Sequence, residues 1–581
     1  MNQLALVAYE SRYARCGGVT AVLNYLPGAL AKAAGIPTCV ITPYHHRIRD
    51  TTKLAPQTVG TLAVPFAGQK VIVRIRRHDD RWPWIFVDAQ DFVLPAACRQ
   101  EATDTHFFSG RRHPYDVGRA AGDQLAILRR DALFFGAAVA RALPLLNADG
   151  DWTLLLQDWQ PATAALALAG APRSTRCFLT LHNSYDSGGV WPNELERVGI
   201  DAAAVRGADG SEAATVLNRA FPLLGKPIFT VSQQFALDFT EDVFQREVMA
   251  NQLQHALQLP NIIGINNGPF ANLAFPADAV AAAQRGDHTA LRAWKSGQKA
   301  KAIAALDTLA PAPDRPVWGD RAQFVRHARE HDAAWFVLAG RDDARQKGYD
   351  VAAAAVRHLL GLPGRTDAAQ FIFFPIPGDE DRAGLAFLRD LAETFPANVL
   401  VLPFLFVEGY LSALQGAAFG VMPSLYEPFG MANEFYLNGA VGIGRATGGL
   451  LQQIVPLRSA PSFTPAVASR AVRWHASDAA ATGLLYREPD DLPNVVGDWR
   501  GLNGVGYVIG GHPDRVEERS RLGLFNAMAD ALGQALADAL DWYGRSPGHD
   551  EYFTLLTNGV AHVQQTLSWD ASAAEYARYL K

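Results

Sequence analysis

Two short stretches of this 581-residue chain hold side chains whose types and spacing suit chemistry: Ser424-Leu-Tyr-Glu-Pro-Phe-Gly-Met-Ala-Asn-Glu434 and Arg445-Ala-Thr-Gly-Gly-Leu450. The first reads as a strand end, a tight turn and a helix start; the second reads as a strand followed by a glycine turn. Glu427 then stands beside the free N–H groups of a helix start, which attract phosphate, while its carboxylate accepts sugar hydroxyls. The second turn adds further backbone N–H groups. Together they make a socket for a nucleotide diphosphate-sugar. Upstream, Leu338-Ala-Gly-Arg-Asp-Asp-Ala-Arg-Gln-Lys-Gly-Tyr-Asp350 sets Arg341 and Lys347 between a strand and a helix. When a sugar–phosphate bond breaks, negative charge builds on the leaving diphosphate, and two fixed cations stabilise that charge more than the intact donor. Cations at a helix start oppose its dipole, so an anion is expected to compensate them.

The first half carries a second set. The strand Leu4–Glu10 runs through Arg15-Cys-Gly-Gly-Val19 into a helical pattern. There Gly17 and Gly18 let a diphosphate approach backbone N–H groups and Arg15 adds a forked cation; the alternative is an ordinary glycine turn. Asp158, in Gln157-Asp-Trp-Gln160, stands at the C-terminal edge of a strand, where it holds ligand hydroxyls or caps the next helix. Leu181-His-Asn-Ser-Tyr-Asp186 ends another strand and makes His182 a binding residue rather than a structural one. Tyr115 lies in a loop and either faces a ligand or packs on the core with its hydroxyl wet. Asp342-Asp343 and Asp490-Asp491 read as solvated turns, not metal ligands. Cys16, Cys39, Cys98 and Cys177 have no CxxC or zinc spacing and read as small core residues and a loop thiol.

The elements that must position these side chains alternate. Apolar runs at Leu4–Glu10, 39–43, 70–76, 84–88, 152–157, 177–182, 228–231 and 262–265 read as covered parallel strands, with helices between them such as 27–34 and 123–143. The pattern restarts at 335–339, 371–375, 399–403, 419–422 and 441–443. This is α/β, with two doubly wound sheets. The polar, proline-bearing region 276–332 reads as a junction. The domains are then 1–275, rejoined by a C-terminal helix at 555–581, and 333–554. With 49% apolar and 19% charged residues the chain is globular, and a net charge of −5 leaves no electrostatic footprint for nucleic acid. The absence of an 18-residue apolar run or a leader pattern points to a cytoplasmic protein with no membrane span.

Taken in order, these stretches resemble the bacterial glycogen and starch synthases, from Arg15 to Tyr576. The family reads K-T-G-G-L where this chain has Arg15-Cys-Gly-Gly-Val19, and H-D-W-H where it has Gln157-Asp-Trp-Gln160. It reads H-N-x-x-Y-Q-G around His182 and Asn183, L-N-G-I around Asn267, and G-P-Y-G-D around Tyr115. S-R-L-x-x-Q-K-G-x-D matches Arg341 and Lys347 with one extra residue, a spacing closer to that of animal and fungal glycogen synthases, which makes Arg345 a rival to Arg341. S-x-x-E-P-C-G-L and R-x-T-G-G-L match Glu427, Gly430, Met431, Thr447, Gly448 and Gly449, with Phe429 in place of the cysteine. The second glutamate of many retaining glycosyltransferases is Phe435 here; Glu434 falls one residue early and is only a weak ribose candidate. Near the C-terminus, Trp569 and Tyr576 fit F-S-W-x-x-S-A-x-x-Y as packing anchors.

The resemblance implies a GT-B fold, with two Rossmann-like domains facing across a cleft and the final helix crossing back to the first. It implies a retaining transfer of glucose from ADP-glucose or UDP-glucose to an α-1,4-glucan end. Glu427 would meet the sugar near O3, Asp158 would hold sugar or acceptor hydroxyls, and His182 would bond near the C6 hydroxyl. Closure would bring Arg15 and His182 over the sugar, and the leaving phosphate would take the acceptor proton. No metal or other cofactor is implied, because the cations do that work. The departures at Arg15, Cys16, Gln160 and Phe429 leave open a small or different acceptor or sugar. A non-catalytic binding relative is the reading of another class.

Overall fold

Runs such as Leu4-Ala-Leu-Val7 and Trp335-Phe-Val-Leu338 are apolar on both faces, and all eight of these residues are buried, as strands covered by helices on both sides must be. The computed structural model describes residues 2–14, 17–51, 54–100, 102, 104–108, 115, 124–148, 150–170, 175–208, 210–376, 382–504 and 515–580. It divides into two units: Met1–Gly268 with Ser568–Lys581, and Pro269–Leu567. Among the described residues no helix is long and apolar enough to cross a membrane.

The first unit holds β1 (Gln3–Ala8), β2 (Thr38–Pro43), β3 (Gln57–Phe66), β4 (Gln69–Asp79), β5 (Pro83–Asp88), β6 (Trp152–Gln157), β7 (Arg176–Leu181), β8 (Ile228–Thr230) and β9 (Ile262–Gly264). Their order across the sheet is β3-β4-β5-β2-β1-β6-β7-β8-β9. The strand expected at 70–76 is not a covered parallel strand: β4 pairs antiparallel with both β3 and β5. Val71, Val73 and Ile75 are buried while Lys70 and Ile72 are exposed, the period-2 alternation of a sheet with one wet face. Without that hairpin the order is that of a dinucleotide-binding sheet, and the strand order reverses between β1 and β6. Helix Gln124–Leu146 lies close against helix Trp159–Leu168 because Gly136 has no side chain: a Cβ there would be 2.3 Å from Thr163 Oγ1. The Thr163 hydroxyl donates to the Ala132 carbonyl at 2.8 Å across the same contact. This fixes the start of the second helix, and with it Asp158.

The chain returns to this unit in helix Trp569–Leu580. Trp569 stacks on Tyr25, with ring centroids 5.5 Å apart, and Tyr576 is buried against Phe229. Gly268 is required beneath Trp569, since a Cβ there would lie 2.5 Å from the indole. Helix Asp550–Thr566, which the sequence placed partly in the return, belongs to the second unit.

The second unit holds β10 (Ala334–Arg341), β11 (Ala369–Ile376), β12 (Val399–Val401), β13 (Phe419–Met422), β14 (Val441–Arg445) and β15 (Leu484–Tyr486), all parallel, in the order β12-β11-β10-β13-β14-β15. Here the order reverses between β10 and β13. Residues 276–332 lie within this unit as ordered helices. Lys295 of helix Thr289–Thr308 is buried and donates to the carbonyls of Gln415, Ala417 and Gly439, using all three of its protons. These carbonyls lie at helix ends, where a cation is favoured, although burial pushes the ammonium pKa down to about 7.

Candidate active site

In the second unit the expected residues meet where the strand order reverses. Arg341 is the last residue of β10, and Ser424 to Gly430 follow β13, the neighbour of β10. Ligands of open α/β sheets bind at the carboxyl ends of such strands. Lys347 Nζ donates to Glu427 Oε2 at 2.8 Å, and the Ser424 hydroxyl donates to the same oxygen at 2.7 Å. Ala339, Lys347, Tyr349, Ser424, Glu427 and Met431 line a small pocket there. The anion expected to compensate the cations is thus a side chain of this unit.

Arg341 and Arg345 share one carboxylate. Asp343 Oδ2 lies 3.8 Å from Arg341 and its Oδ1 lies 3.9 Å from Arg345. Asp343 also orders the loop: Oδ1 accepts the Arg345 N–H at 3.0 Å, and its carbonyl accepts the Lys347 N–H at 2.8 Å. The expectation that Asp342 and Asp343 lie on a solvated turn fails, because they are 0% and 2% exposed. The loop folds down onto the sheet edge, Asp342 donating its N–H to the Ile376 carbonyl, and the guanidinium groups remain outside. Asp490 is exposed and pairs with Arg470, as a surface turn would.

The glycines here answer to close approach. Gly448 has φ +48, and a Cβ would sit 1.7 Å from the Glu427 carbonyl oxygen; at Gly449 it would sit 2.2 Å from that of Phe429. The Gly449 N–H donates to the Glu427 carbonyl at 3.2 Å, so the two turns are laced into one surface. Gly430, with φ +97, ends the first turn against Leu450. Thr447 is buried, its N–H bonded to the Arg445 carbonyl. Phe429 turns into the core against Phe270, with ring centroids 5.4 Å apart, so only its backbone remains near the turn. Glu434 is half-buried on the next helix, close enough for its charge to act on Tyr410.

Sequence reasoning missed what supports these turns. Arg445 is buried beneath both, donating to the Leu425 carbonyl at 2.6 Å and forking onto Glu488. Burial alone would push Glu488 up, but Arg445 and Arg487 outweigh it and hold the carboxyl down at about 2. The R-x-T-G-G spelling was a signal for Arg445; Glu488 lies beyond β15, which is too short to read from sequence.

In the first unit the candidates also collect where the strand order reverses, between β1 and β6. Asp158 occupies the N-cap position of its helix but makes no cap hydrogen bond, so the capping alternative fails. Its φ of +72 turns the side chain instead towards β7. There Oδ1 accepts the His182 N–H at 2.6 Å and Oδ2 accepts the Asn183 side-chain N–H at 3.1 Å. Burial, reinforced by the Glu10 charge, pushes the Asp158 carboxyl up to about 8 despite those donors. Gln157 sets the histidine tautomer. Its amide N–H is given to the Leu155 carbonyl, so its Oε1, 2.8 Å from His182 Nε2, must accept. His182 is therefore neutral with the proton on Nε2, consistent with burial driving its pKa down to about 3, and Nδ1 keeps a lone pair.

Glu10 was not singled out from sequence. Its Oε2 accepts the Thr20 N–H at 3.0 Å and the Thr20 hydroxyl at 2.7 Å at the start of helix Gly18–Leu23. A Cβ on Gly17 would lie 2.4 Å from Glu10 Oε1, which is why the chain passes there as glycine; Gly18 has open space. Arg15 lies outside the described residues. Tyr115 is half-buried with its ring 5.7 Å from that of the buried Tyr9, the arrangement of a loop aromatic packed on the core. Asn183 Oδ1 accepts the Tyr185 N–H at 2.7 Å. Asn267 is buried behind β9, its N–H bonded to the Val231 carbonyl.

Residues 3–256 match the family described as the starch synthase catalytic domain, and residues 274–434 match that described as family 4 glycosyltransferase in conflict systems. The chain is 30% identical over 308 residues to a glycogen synthase of Dechloromonas aromatica; that alignment covers 51% of this chain and 55%, about half, of the relative. It is 26% identical over 523 residues to a glycogen synthase of Novosphingobium aromaticivorans, covering 82% of this chain and 91% of that one. Among solved structures, the catalytic domain of starch synthase IV from Arabidopsis thaliana, bound to ADP and acarbose, aligns with a TM-score of 0.63 at 16% identity, across 99% of this chain and 98% of that one. The two α/β sheets, each with its order reversing beside its first strand, and this likeness make the fold GT-B.

Proposed function

We propose that this chain, a glycogen/starch synthase-like glycosyltransferase, moves glucose from ADP-glucose or UDP-glucose to the non-reducing end of an α-1,4-glucan with retention of configuration. The observation that carries the reading is the Lys347–Glu427 pair at the carboxyl ends of β10 and β13, with Arg341 beside it. In this reading the donor diphosphate displaces part of the internal ion pairing. Lys347 and Arg341, or its neighbour Arg345, take up the charge that develops as the sugar–phosphate bond breaks. Glu427, freed from Lys347, accepts sugar hydroxyls, and the laced turns at 427–430 and 447–449 offer backbone N–H groups to sugar and phosphate. The departing phosphate oxygen accepts the proton of the attacking hydroxyl on the same face, so no side chain need act as general base and no metal or other cofactor is required. Asp158, held by burial in its protonated form, and neutral His182 serve sugar or acceptor hydroxyls by directed hydrogen bonds.

The test is Lys347→Ala, assayed by nucleotide release from ADP-glucose and from UDP-glucose with glycogen and with short maltooligosaccharides. The turnover rate is expected to fall by about 10²–10³-fold, as for a lost oxyanion donor. Rates near wild type with both donors would overturn the assignment. Sizing the wild-type product separates polymer extension from transfer to a small acceptor.

A further inference from the structure

We propose that His327, His331 and Asp367 bind a zinc-class divalent cation that clips together two helices at the edge of the second sheet away from the donor residues. The ligand atoms of the three side chains all lie within 4.8 Å of one another. His327 and His331 are one turn apart at the end of helix Arg321–Glu330, with ring centroids 4.4 Å apart. Asp367 comes from helix Arg365–Ala368. The strand register brings them together: Ala334, which opens β10 three residues after His331, pairs with Ala369, which opens β11 two residues after Asp367.

His327 points to a ligand. It is 9% exposed, and neither ring nitrogen has a hydrogen-bond partner. An imidazole enclosed in this way is an exception among buried polar groups. The Thr366 carbonyl lies near the same ring, outside hydrogen-bond geometry, in the place of an outer partner that orients a metal-bound histidine. Two imidazoles and one carboxylate suit zinc, cobalt or nickel rather than magnesium or calcium, which prefer all-oxygen sets. Bonds of about 2.0–2.2 Å require the three atoms to draw closer. The exposed Asp367 and the partly exposed His331 can turn to do so, and water fills the remaining position. The cluster precedes β10 and β11, whereas Arg341 ends β10 and Lys347 follows it, so the cation acts on stability and not on transfer.

The experiment uses the full chain stripped with a chelator, then titrated with zinc chloride by calorimetry and melted with and without zinc. One equivalent is expected to bind and to raise the melting temperature. His331→Ala and Asp367→Ala, both at the protein surface, are expected to fold, to lose the one-to-one uptake and to lose the shift. No saturable uptake by the wild type, or uptake and a melting shift that survive either substitution, would overturn the proposal.

Discussion

The two units place their candidate residues at the same point of the same strand order, between β1 and β6 in one and between β10 and β13 in the other, yet they solve the electrostatics in opposite ways. In the first, burial removes charge: Asp158 is held protonated at neutral pH and His182 is held neutral, and the two are joined through backbone and amide hydrogen bonds. The carboxylate that remains, Glu10, takes up the Thr20 amide that a phosphate would otherwise find at the helix start. In the second, charge is kept and paired: Lys347 with Glu427, Arg341 and Arg345 with Asp343, and Arg445 and Arg487 with Glu488. The topology thus selects a place on the sheet, and the side chains decide what that place binds. Under the proposed function, neutral donors and acceptors select hydroxyls by direction, whereas exchangeable ion pairs receive an anion without leaving the cations bare in its absence.

The sharpest way to break the contrast is to remove the buried anion of the second unit. Glu488→Ala leaves Arg445 enclosed without its partner and is expected to cost about 3–5 kcal/mol of unfolding free energy, read from urea melts. A loss below 1 kcal/mol would show that the pair is not what holds the two turns. Next in size is the pH dependence carried by Asp158. Its folded pKa, about 8, lies above the ordinary aspartate value of 3.8, so the folded state binds more protons across that interval and stability falls as pH rises through it. Asp158→Asn is expected to flatten this fall in melting temperature between pH 5 and pH 8; an unchanged slope would place the titration elsewhere. His182 has the opposite sign, contributing stability that is present above the ordinary histidine value of 6.5 and lost as pH falls towards about 3. The smallest and most local change is Gln157→Glu. It puts a carboxylate 2.8 Å from His182 Nε2, favouring the imidazolium and raising that pKa by about 1–3 units. The acid limb of the pH–rate profile should move up accordingly, and histidine NMR titration of the variant would show whether it does.

Much of this was legible in the chain. Runs such as Trp152-Thr-Leu-Leu-Leu-Gln157 and Phe419-Gly-Val-Met422 mark covered strands by composition alone, and both have the ends that the sequence indicated. Strand β3 was not seen, because Gln57-Thr-Val-Gly-Thr-Leu-Ala-Val-Pro-Phe66 mixes strand formers with glycine and proline on an edge where half the residues face water. The burial of Asp342 and Asp343 was misread for a related reason: two adjacent carboxylates look solvated unless the cations that meet them are known.

Local sequence alone determined most of the covered parallel strands, which turns need glycine, and that Glu427, Lys347 and Asp158 stand at or just beyond strand ends, since each of these depends on neighbours within a few positions. Only the tertiary structure decided that Lys347 meets Glu427 across 80 residues, that Glu488 neutralises Arg445, and that Asp158 turns to His182 and not to its own helix. Pairing and burial are set by the order in which strands assemble, and the energy of a charge depends on what that assembly brings within a few ångströms of it.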